Sequence, residues 1–320
     1  MGQLTFEGSA INDELLNQGF TLLDHHIPNE AVDELIAAYA KFTDNLPDPD
    51  LETVAALVKD PDKLDELDYG QDTKKEWHKY RTNHPFVFKP GGYTNRSLQV
   101  KAVREILGLE VEDDPKEYYH FLPSSTVRMN AQRDRFGWGP LPPEVYDLNK
   151  RFAPIHALGA KAITGLMQNV EDKFPELISK VMTPKDLEAS PLRLLFYHPA
   201  QGDLLAGGHY DKTIFTAQLA ESHEGLRLRN PSNGEMQEVT RPPEKAVAFA
   251  GSLLTLPHVY PDSEIKPGWH DALNKEVLNE GRSLIGKNVV RWALVFFANS
   301  GFAGEIGKDI THVETSELVA

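Results

Sequence analysis

Gly207-Gly208-His209-Tyr210-Asp211-Lys212-Thr213 sets a histidine and an aspartate two residues apart, shortly after the apolar run Leu192-Arg193-Leu194-Leu195-Phe196-Tyr197. Side chains of a strand alternate with period two, so His209 and Asp211 project from one face of a strand end. A neutral imidazole nitrogen and a carboxylate oxygen make a mixed ligand pair suited to a first-row divalent metal, and one more histidine would complete a facial triad for Fe(II). Chance also produces His-x-Asp in many proteins, so the segments on either side decide what this one means.

Downstream of residue 190, short runs rich in Val, Leu, Phe and Thr alternate with turns: Leu192–Tyr197, Thr213–Leu219, Gly225–Leu228, Ala246–Phe249 and Val289–Phe297, broken by Asn230-Pro231-Ser232-Asn233-Gly234 and Arg241-Pro242-Pro243. Strands at roughly ten-residue spacing predict a sandwich or jelly roll. Upstream the texture is different. Pro142-Pro143-Glu144 opens an amphipathic stretch to about Val170, with Tyr146, Phe152, Ile155, Leu158, Ala162, Ile163, Leu166 and Met167 on its apolar side, which predicts a long helix. Its His156 reads as structural. Arg128 to Trp138, with Arg133, Arg135 and Phe136 between, reads as an exposed loop anchored by the tryptophan, or as a substrate contact. Tyr118-Tyr119-His120-Phe121 suits a strand. Near the start, Asn17–Leu23 is β-like, and Asn29 caps a helix carrying Ala31, Leu35, Ile36 and Tyr39 to about Phe42. Leu51–Val58 is helical in pattern amid charged, proline-punctuated sequence.

The 320 residues can bury a large core. They are read as one domain over 1–320, with a helix and strand region at 1–125, a helical segment at 126–180 and a β core at 190–300. A formal charge of −15 opposes binding to nucleic acid or to an anionic membrane surface, which requires clustered Lys and Arg. Cysteine is absent, so thiolate nucleophiles, disulfides and cysteine-held metals are excluded. No basic segment followed by an apolar one opens the chain, and there is no run of ~18 apolar residues. The expectation is a cytoplasmic protein with a small-molecule partner, without nucleic acid or membrane.

At this point the sequence resembles a known group, the isopenicillin N synthase-like Fe(II)- and 2-oxoglutarate-dependent oxygenases. Leu192–Pro199 is similar to that family's tyrosine-bearing strand, and Gly207–Asp211 to its first ligand pair. Gly225-Leu226-Arg227-Leu228 and Ala248-Phe249-Ala250-Gly251-Ser252 follow in the family's order. Arg291-Trp292-Ala293-Leu294-Val295-Phe296-Phe297-Ala298-Asn299 looks like its arginine-bearing final strand. The resemblance implies an α+β fold with a double-stranded β-helix (jelly-roll) core and supporting N-terminal and central helices. It also implies Fe(II) held by His209, Asp211 and a third ligand, and 2-oxoglutarate and O2 as co-substrates.

Two histidines compete for the third position. His258 and His270 lie 49 and 61 residues after His209, and spacing alone does not choose between them. The family's distal histidine follows the Gly251-Ser252 turn at a distance, in a strand-like segment similar to Trp269-His270-Asp271-Ala272-Leu273, which favours His270. Arg291 is the implied anchor of the co-substrate's far carboxylate, through a planar fork that pairs bidentately, with Tyr197 adding a hydroxyl. Arg282 lacks the strand that follows Arg291. The sequence departs from the family at Ala293, where a serine is usual; one lost hydrogen bond weakens co-substrate binding by about 1–2 kcal/mol. It departs again at Asn274–Lys287, read as an insertion. Asp211, in place of the small residue of related halogenases, points to hydroxylation, desaturation or ring closure, with succinate and CO2 as co-products. Arg128, Phe136 and Trp138 are the expected substrate contacts, and the substrate an amino-acid-like or specialised metabolite. An iron oxidase that dispenses with 2-oxoglutarate, and a non-catalytic metal-binding jelly roll, are the competing readings.

Overall fold

Arg291-Trp292-Ala293-Leu294-Val295-Phe296-Phe297-Ala298 is apolar after its first residue, and all eight side chains are buried. A strand of that texture belongs in the middle of a sheet covered on both faces. The computed structural model describes residues 8–44, 51–52, 54–55, 92–110, 114–136, 140–200, 202–255, 264–275 and 289–299. There, β1 (Thr21–Asp24), β9 (Lys245–Ala250), β6 (Phe215–Glu221), β11 (Arg291–Ala298), β4 (Leu192–Tyr197), β3 (Lys116–Phe121) and β2 (Gly92–Asn95) lie side by side in that order as one sheet. A second sheet has the order β5 (Leu204–His209), β10 (His270–Leu273), β7 (Leu226–Arg229), β8 (Met236–Glu238). Every pairing is antiparallel. From β4 to β11 the chain passes back and forth between the two sheets.

That alternation gives the large sheet two different faces. Leu192, Leu194 and Phe196 of β4 join the main core, together with residues of the helices. Leu195 and Tyr197 point the other way, and with Ala293, Val295 and Phe297 of β11 they meet Leu205 of β5 and Ala272 of β10. The space between the sheets is therefore lined by odd-numbered residues of β4 and β11. This is where the functional residues collect.

Six helices are described: α1 (Gly8–Gln18), α2 (Asn29–Asp44), α3 (Arg96–Glu105), α4 (Ser125–Phe136), α5 (Pro143–Lys173) and the short α6 (Pro184–Glu188). In α5, Val145, Leu148, Phe152, Ile155, Gly159, Ile163, Leu166 and Val170 are buried, at steps of three and four that keep them on one stripe. Full burial of side chains such as Phe152 contributes roughly 1.5–3 kcal/mol each. Gly159 permits the close approach of helix to sheet, since a Cβ there would meet Leu219 Cδ1 at 2.9 Å and Phe296 Cδ2 at 3.1 Å. Tyr146, expected on the apolar side, is instead 58% exposed; its neighbours Val145 and Leu148 take the stripe, and Tyr146 lies about 100° around the helix from Val145. The stretch read as a loop from Arg128 is largely the helix α4. Its Met, Ala, Gln and Arg residues favour a helix, and Ser125 Oγ accepts from Leu122 N at 2.8 Å at its start. α1 ends at Gly19, which adopts φ +84°, the left-handed conformation that closes helices.

Two buried histidines away from the cavity tie this scaffold to pH. His156 contacts the Ser190 carbonyl through Nε2 at 2.8 Å, and burial lowers its pKa from 6.5, with that hydrogen bond opposing. His25 accepts from Ile27 N on Nδ1 at 2.9 Å, and burial likewise lowers its pKa. In the unfolded chain both take up a proton near 6.5, whereas the folded protein takes them up only at lower pH. Stability is therefore present above pH 6.5 and falls as the pH drops below it, by at most about 1.4 kcal/mol per pH unit for each histidine kept neutral. The urea midpoint is expected to fall between pH 7.5 and 5.5; a flat profile would mean that both protonate freely in the folded state.

Candidate functional site

His209 ends β5 and His270 begins β10, and the antiparallel register sets the two directly opposite each other. Their ring centroids are 4.3 Å apart. Asp211 follows β5 by two residues and turns its carboxylate between them: His209 Nε2 is 3.7 Å from Oδ1 and His270 Nε2 is 3.6 Å from Oδ2. One ligand atom from each of the three lies within 4.8 Å of the others.

The surrounding backbone aims these atoms. Nδ1 of His209 lies 2.8 Å from Gly207 O, and Nδ1 of His270 lies 3.0 Å from Gly268 O. A carbonyl only accepts, so Nδ1 carries the proton in both rings and the Nε2 lone pairs converge on the shared space. Burial, followed by the neighbouring His270, lowers the pKa of His209, with Asp211 opposing; the neutral, metal-competent imidazole is favoured. Asp211 Oδ2 accepts from Thr216 Oγ1 at 2.7 Å, and the Asp211 carbonyl accepts from Ser252 N and Oγ at 2.8 and 3.0 Å. Asp271, next to His270, is not available to the cluster, because Arg227 clamps it with two hydrogen bonds of 2.8 and 2.6 Å. Gly208, immediately before His209, is required to be a glycine, since a Cβ there would lie 2.6 Å from the Trp269 ring. Two imidazoles and one carboxylate on one side of a common point are the donor set of an open Fe(II) site. His209 is 45% exposed at its side chain, against 12% for Asp211, so other ligands can approach from the cavity.

Arg291 and Tyr197 face each other across β11 and β4 at the far end of that cavity, with the guanidinium 5.3 Å from the Tyr197 ring centroid. Arg291 is 1% exposed. Its Nη2 donates to Glu221 Oε2 at 2.7 Å and more distantly to Gln218 Oε1 at 3.4 Å. Glu221 Oε1 accepts from Arg241 Nε at 3.2 Å. Two guanidiniums thus share one carboxylate, and the cluster keeps one net positive charge. Beside it, Gln218 Nε2 is buried without a hydrogen-bond partner among the described residues, although the residue lines the cavity. An orphaned buried donor normally costs about 1–3 kcal/mol. A carboxylate seated against Arg291 would satisfy it, supplying the contact that Ala293 does not. The residues present fit both Fe(II) and a 2-oxo dicarboxylic acid. The cavity encloses about 70 Å³.

The structure therefore brings together five of the residues singled out in the sequence: His209, Asp211, His270, Tyr197 and Arg291. Arg128 and Phe136 fall on α4, with side chains outside the described residues, as are those of Arg133 and Arg135. Trp138, His258, Arg282 and most of Asn274–Lys287 also lie outside them. Gln218, Glu221 and Arg241 are additions that only the structure reveals; Arg193, which lines the cavity from β4, is a further addition. For Arg193 the sequence does hold a signal: a cation in an apolar strand, at the same alternation as Tyr197.

No family model and no curated protein sequence matches the chain. Solved structures match its shape. A Shewanella oneidensis protein assigned as an oxygenase superposes with a TM-score of 0.58 at 15% identity, covering 97% of this chain and 98% of that one. A full-length Neurospora crassa protein in complex with alpha-KG gives 0.55 at 18% identity, over 92% of this chain and 79% of that one; another structure of that Neurospora protein holds thymine as well. The Arabidopsis thaliana dioxygenase for auxin oxidation, in its 2-oxoglutarate complex, gives 0.51 at 13% identity, over 92% and 87%. At these identities what is shared is the fold. The chain has the architecture of 2-oxoglutarate oxygenases. Among the described residues no helix is long and apolar enough to cross a membrane.

Proposed function

We propose that the chain is a single-domain Fe(II)- and 2-oxoglutarate-dependent dioxygenase. On this reading the two facing sheets are a double-stranded β-helix, and the enzyme hydroxylates a small organic substrate in the cytoplasm. The carrying observation is the convergence of His209 Nε2, His270 Nε2 and the Asp211 carboxylate at one end of a cavity whose other end holds a buried, net-positive arginine cluster and an unpaired amide donor. A shared fold does not by itself carry a function; the donor set and the cationic far end support the chemistry.

Fe(II) and 2-oxoglutarate, when bound, supply the oxidising power to insert oxygen from O2, with 2-oxoglutarate leaving as succinate and CO2. The protein's part is positional. His209, Asp211 and His270 would hold the metal, their Nδ1–H and Thr216 contacts fixing ring and carboxylate orientation before metal arrives. Arg291 and Gln218 would seat the far carboxylate of the co-substrate. Leu195, Val295, Phe297 and Phe249 give the cavity its apolar walls.

One observation favours the iron oxidase that needs no 2-oxo acid: Glu221 already occupies Arg291. Arg241 answers it by sharing Glu221, which leaves the cluster cationic. Anaerobic titration of Fe(II)-loaded protein with 2-oxoglutarate tests the choice. A weak visible charge-transfer band is expected as the 2-oxo acid chelates the metal. Bound iron with no band would remove 2-oxoglutarate from the proposal and leave the oxidase.

A further inference from the structure

On the face that β4 and β11 turn to the cavity, Arg193, Leu195 and Tyr197 stand in register with Val295, Ala293 and Arg291. This floor has a guanidinium at each end. At about 3.3 Å per residue, the four residues from Arg193 to Tyr197 separate the two ends by roughly 13 Å along the strand. The two guanidiniums lean on different neighbours, Arg193 on the Phe297 ring and Arg291 on Glu221.

The two arginines also differ in what surrounds them. Arg291 shares Glu221 with Arg241. Among the described residues Arg193 has no carboxylate at ion-pair distance. Its Nε donates to His120 Nε2, and His120 is kept neutral by burial and by that same positive charge. Its guanidinium carbon lies 4.7 Å from the Tyr118 ring centroid and 4.4 Å from that of Phe297, so two aromatic faces partly offset its desolvation. The terminal nitrogens, the bidentate end of the fork, have no hydrogen-bond partner among the described residues. Asp211 is one of the charges acting on Arg193, which puts this guanidinium within electrostatic reach of the metal-ligand cluster. Lys116, the other cation lining the cavity, is engaged by Asp114 at 2.8 Å.

We propose that Arg193 anchors a second anion subsite, one that receives the carboxylate of a small and otherwise apolar molecule. This rests on the oxygenase reading, in which that molecule is the one oxidised. One free planar fork matches a single carboxylate. With Lys116 engaged by Asp114 and Arg291 by Glu221, no further free cation among the described residues lines the cavity for a phosphate dianion, and Leu195, Val295 and Phe297 give the rest of the molecule apolar contacts.

The test uses acetate, benzoate and 3-phenylpropionate, each against its primary amide, with binding measured calorimetrically to the full chain, with and without Mn(II) and saturating 2-oxoglutarate. At least one carboxylate is expected to bind tenfold or more tighter than its amide. Arg193→Gln should erase that preference and Arg193→Lys restore part of it, while 2-oxoglutarate affinity stays within twofold of wild type. No preference for any carboxylate in the wild-type protein would overturn the proposal, and that comparison depends on no variant. So would a preference that survives Arg193→Gln, or one abolished by competition with 2-oxoglutarate, which would place the anion at Arg291. Failure of 2-oxoglutarate to bind at all would count against the oxygenase reading alone, because the metal-free comparison still reports on Arg193.

Discussion

His270→Ala will fold and will fail to bind metal. The ring supplies one of three donors whose lone pairs already converge, and two donors from a single segment, His209 and Asp211, cannot reproduce the facial arrangement. Altering partners that merely orient such ligands costs 10–100-fold in affinity, so deleting a ligand is expected to cost more than about 100-fold, with succinate formation falling to background. The apo protein is expected to keep its fold: the ring meets Phe249 at 4.7 Å between centroids, faces His209 and Asp211, and holds the Gly268 carbonyl. Thermal melts with Mn(II) separate the two effects. At a hundredfold excess over Kd the wild-type protein gains about 2.7 kcal/mol, while His270→Ala gains nothing and His258→Ala matches wild type. Metal stabilisation that survives in His270→Ala and disappears in His258→Ala would reverse the assignment.

The range of each interaction decides how far it is legible in the sequence. Strand texture in β4, β6, β9 and β11 is a local property, and so is the two-residue spacing of His209 and Asp211, and both are readable. The meeting of His209 with His270 depends on the register between β5 and β10, strands far apart in sequence, and is accessible only through resemblance. Glu221 is harder still. It looks like a polar strand end, and its meaning comes from Arg241 and Arg291, 20 and 70 residues later. Arg193 sits within an apolar run without drawing notice, because alternation assigns it a face and does not say that the face is a cavity. α1 carries little apolar periodicity beyond Leu15 and Leu16, so its helix is set by tertiary contact more than by pattern.

The arginine cluster gives the second large effect. Arg291→Ala removes both the cation that would receive the co-substrate's far carboxylate and one of the two partners of Glu221. Two charge-assisted hydrogen bonds at about 1.5–3 kcal/mol each correspond to a loss of 2-oxoglutarate affinity of at least about 100-fold. Breaking a buried ion pair typically destabilises by roughly 3–5 kcal/mol; the lower end is expected here because Arg241 remains on Glu221. Lost affinity could then reflect a damaged fold, and Gln218→Leu resolves the ambiguity. Among the described residues the Gln218 amide nitrogen has no partner to lose and its Oε1 accepts only the long 3.4 Å contact from Arg291, so an apolar side chain of similar size should change stability little. If that nitrogen serves the co-substrate in place of the serine absent at Ala293, 2-oxoglutarate should bind about 5–30-fold more weakly, matching a loss of one hydrogen bond of ~1–2 kcal/mol. Weaker binding in a protein of undiminished stability cannot be blamed on unfolding, and the chelation band titrated in both variants measures it directly. Wild-type affinity in Gln218→Leu would return the amide to a packing role. Wild-type affinity in Arg291→Ala would mean that Arg291 exists to hold Glu221, and that the co-substrate, if there is one, is anchored elsewhere.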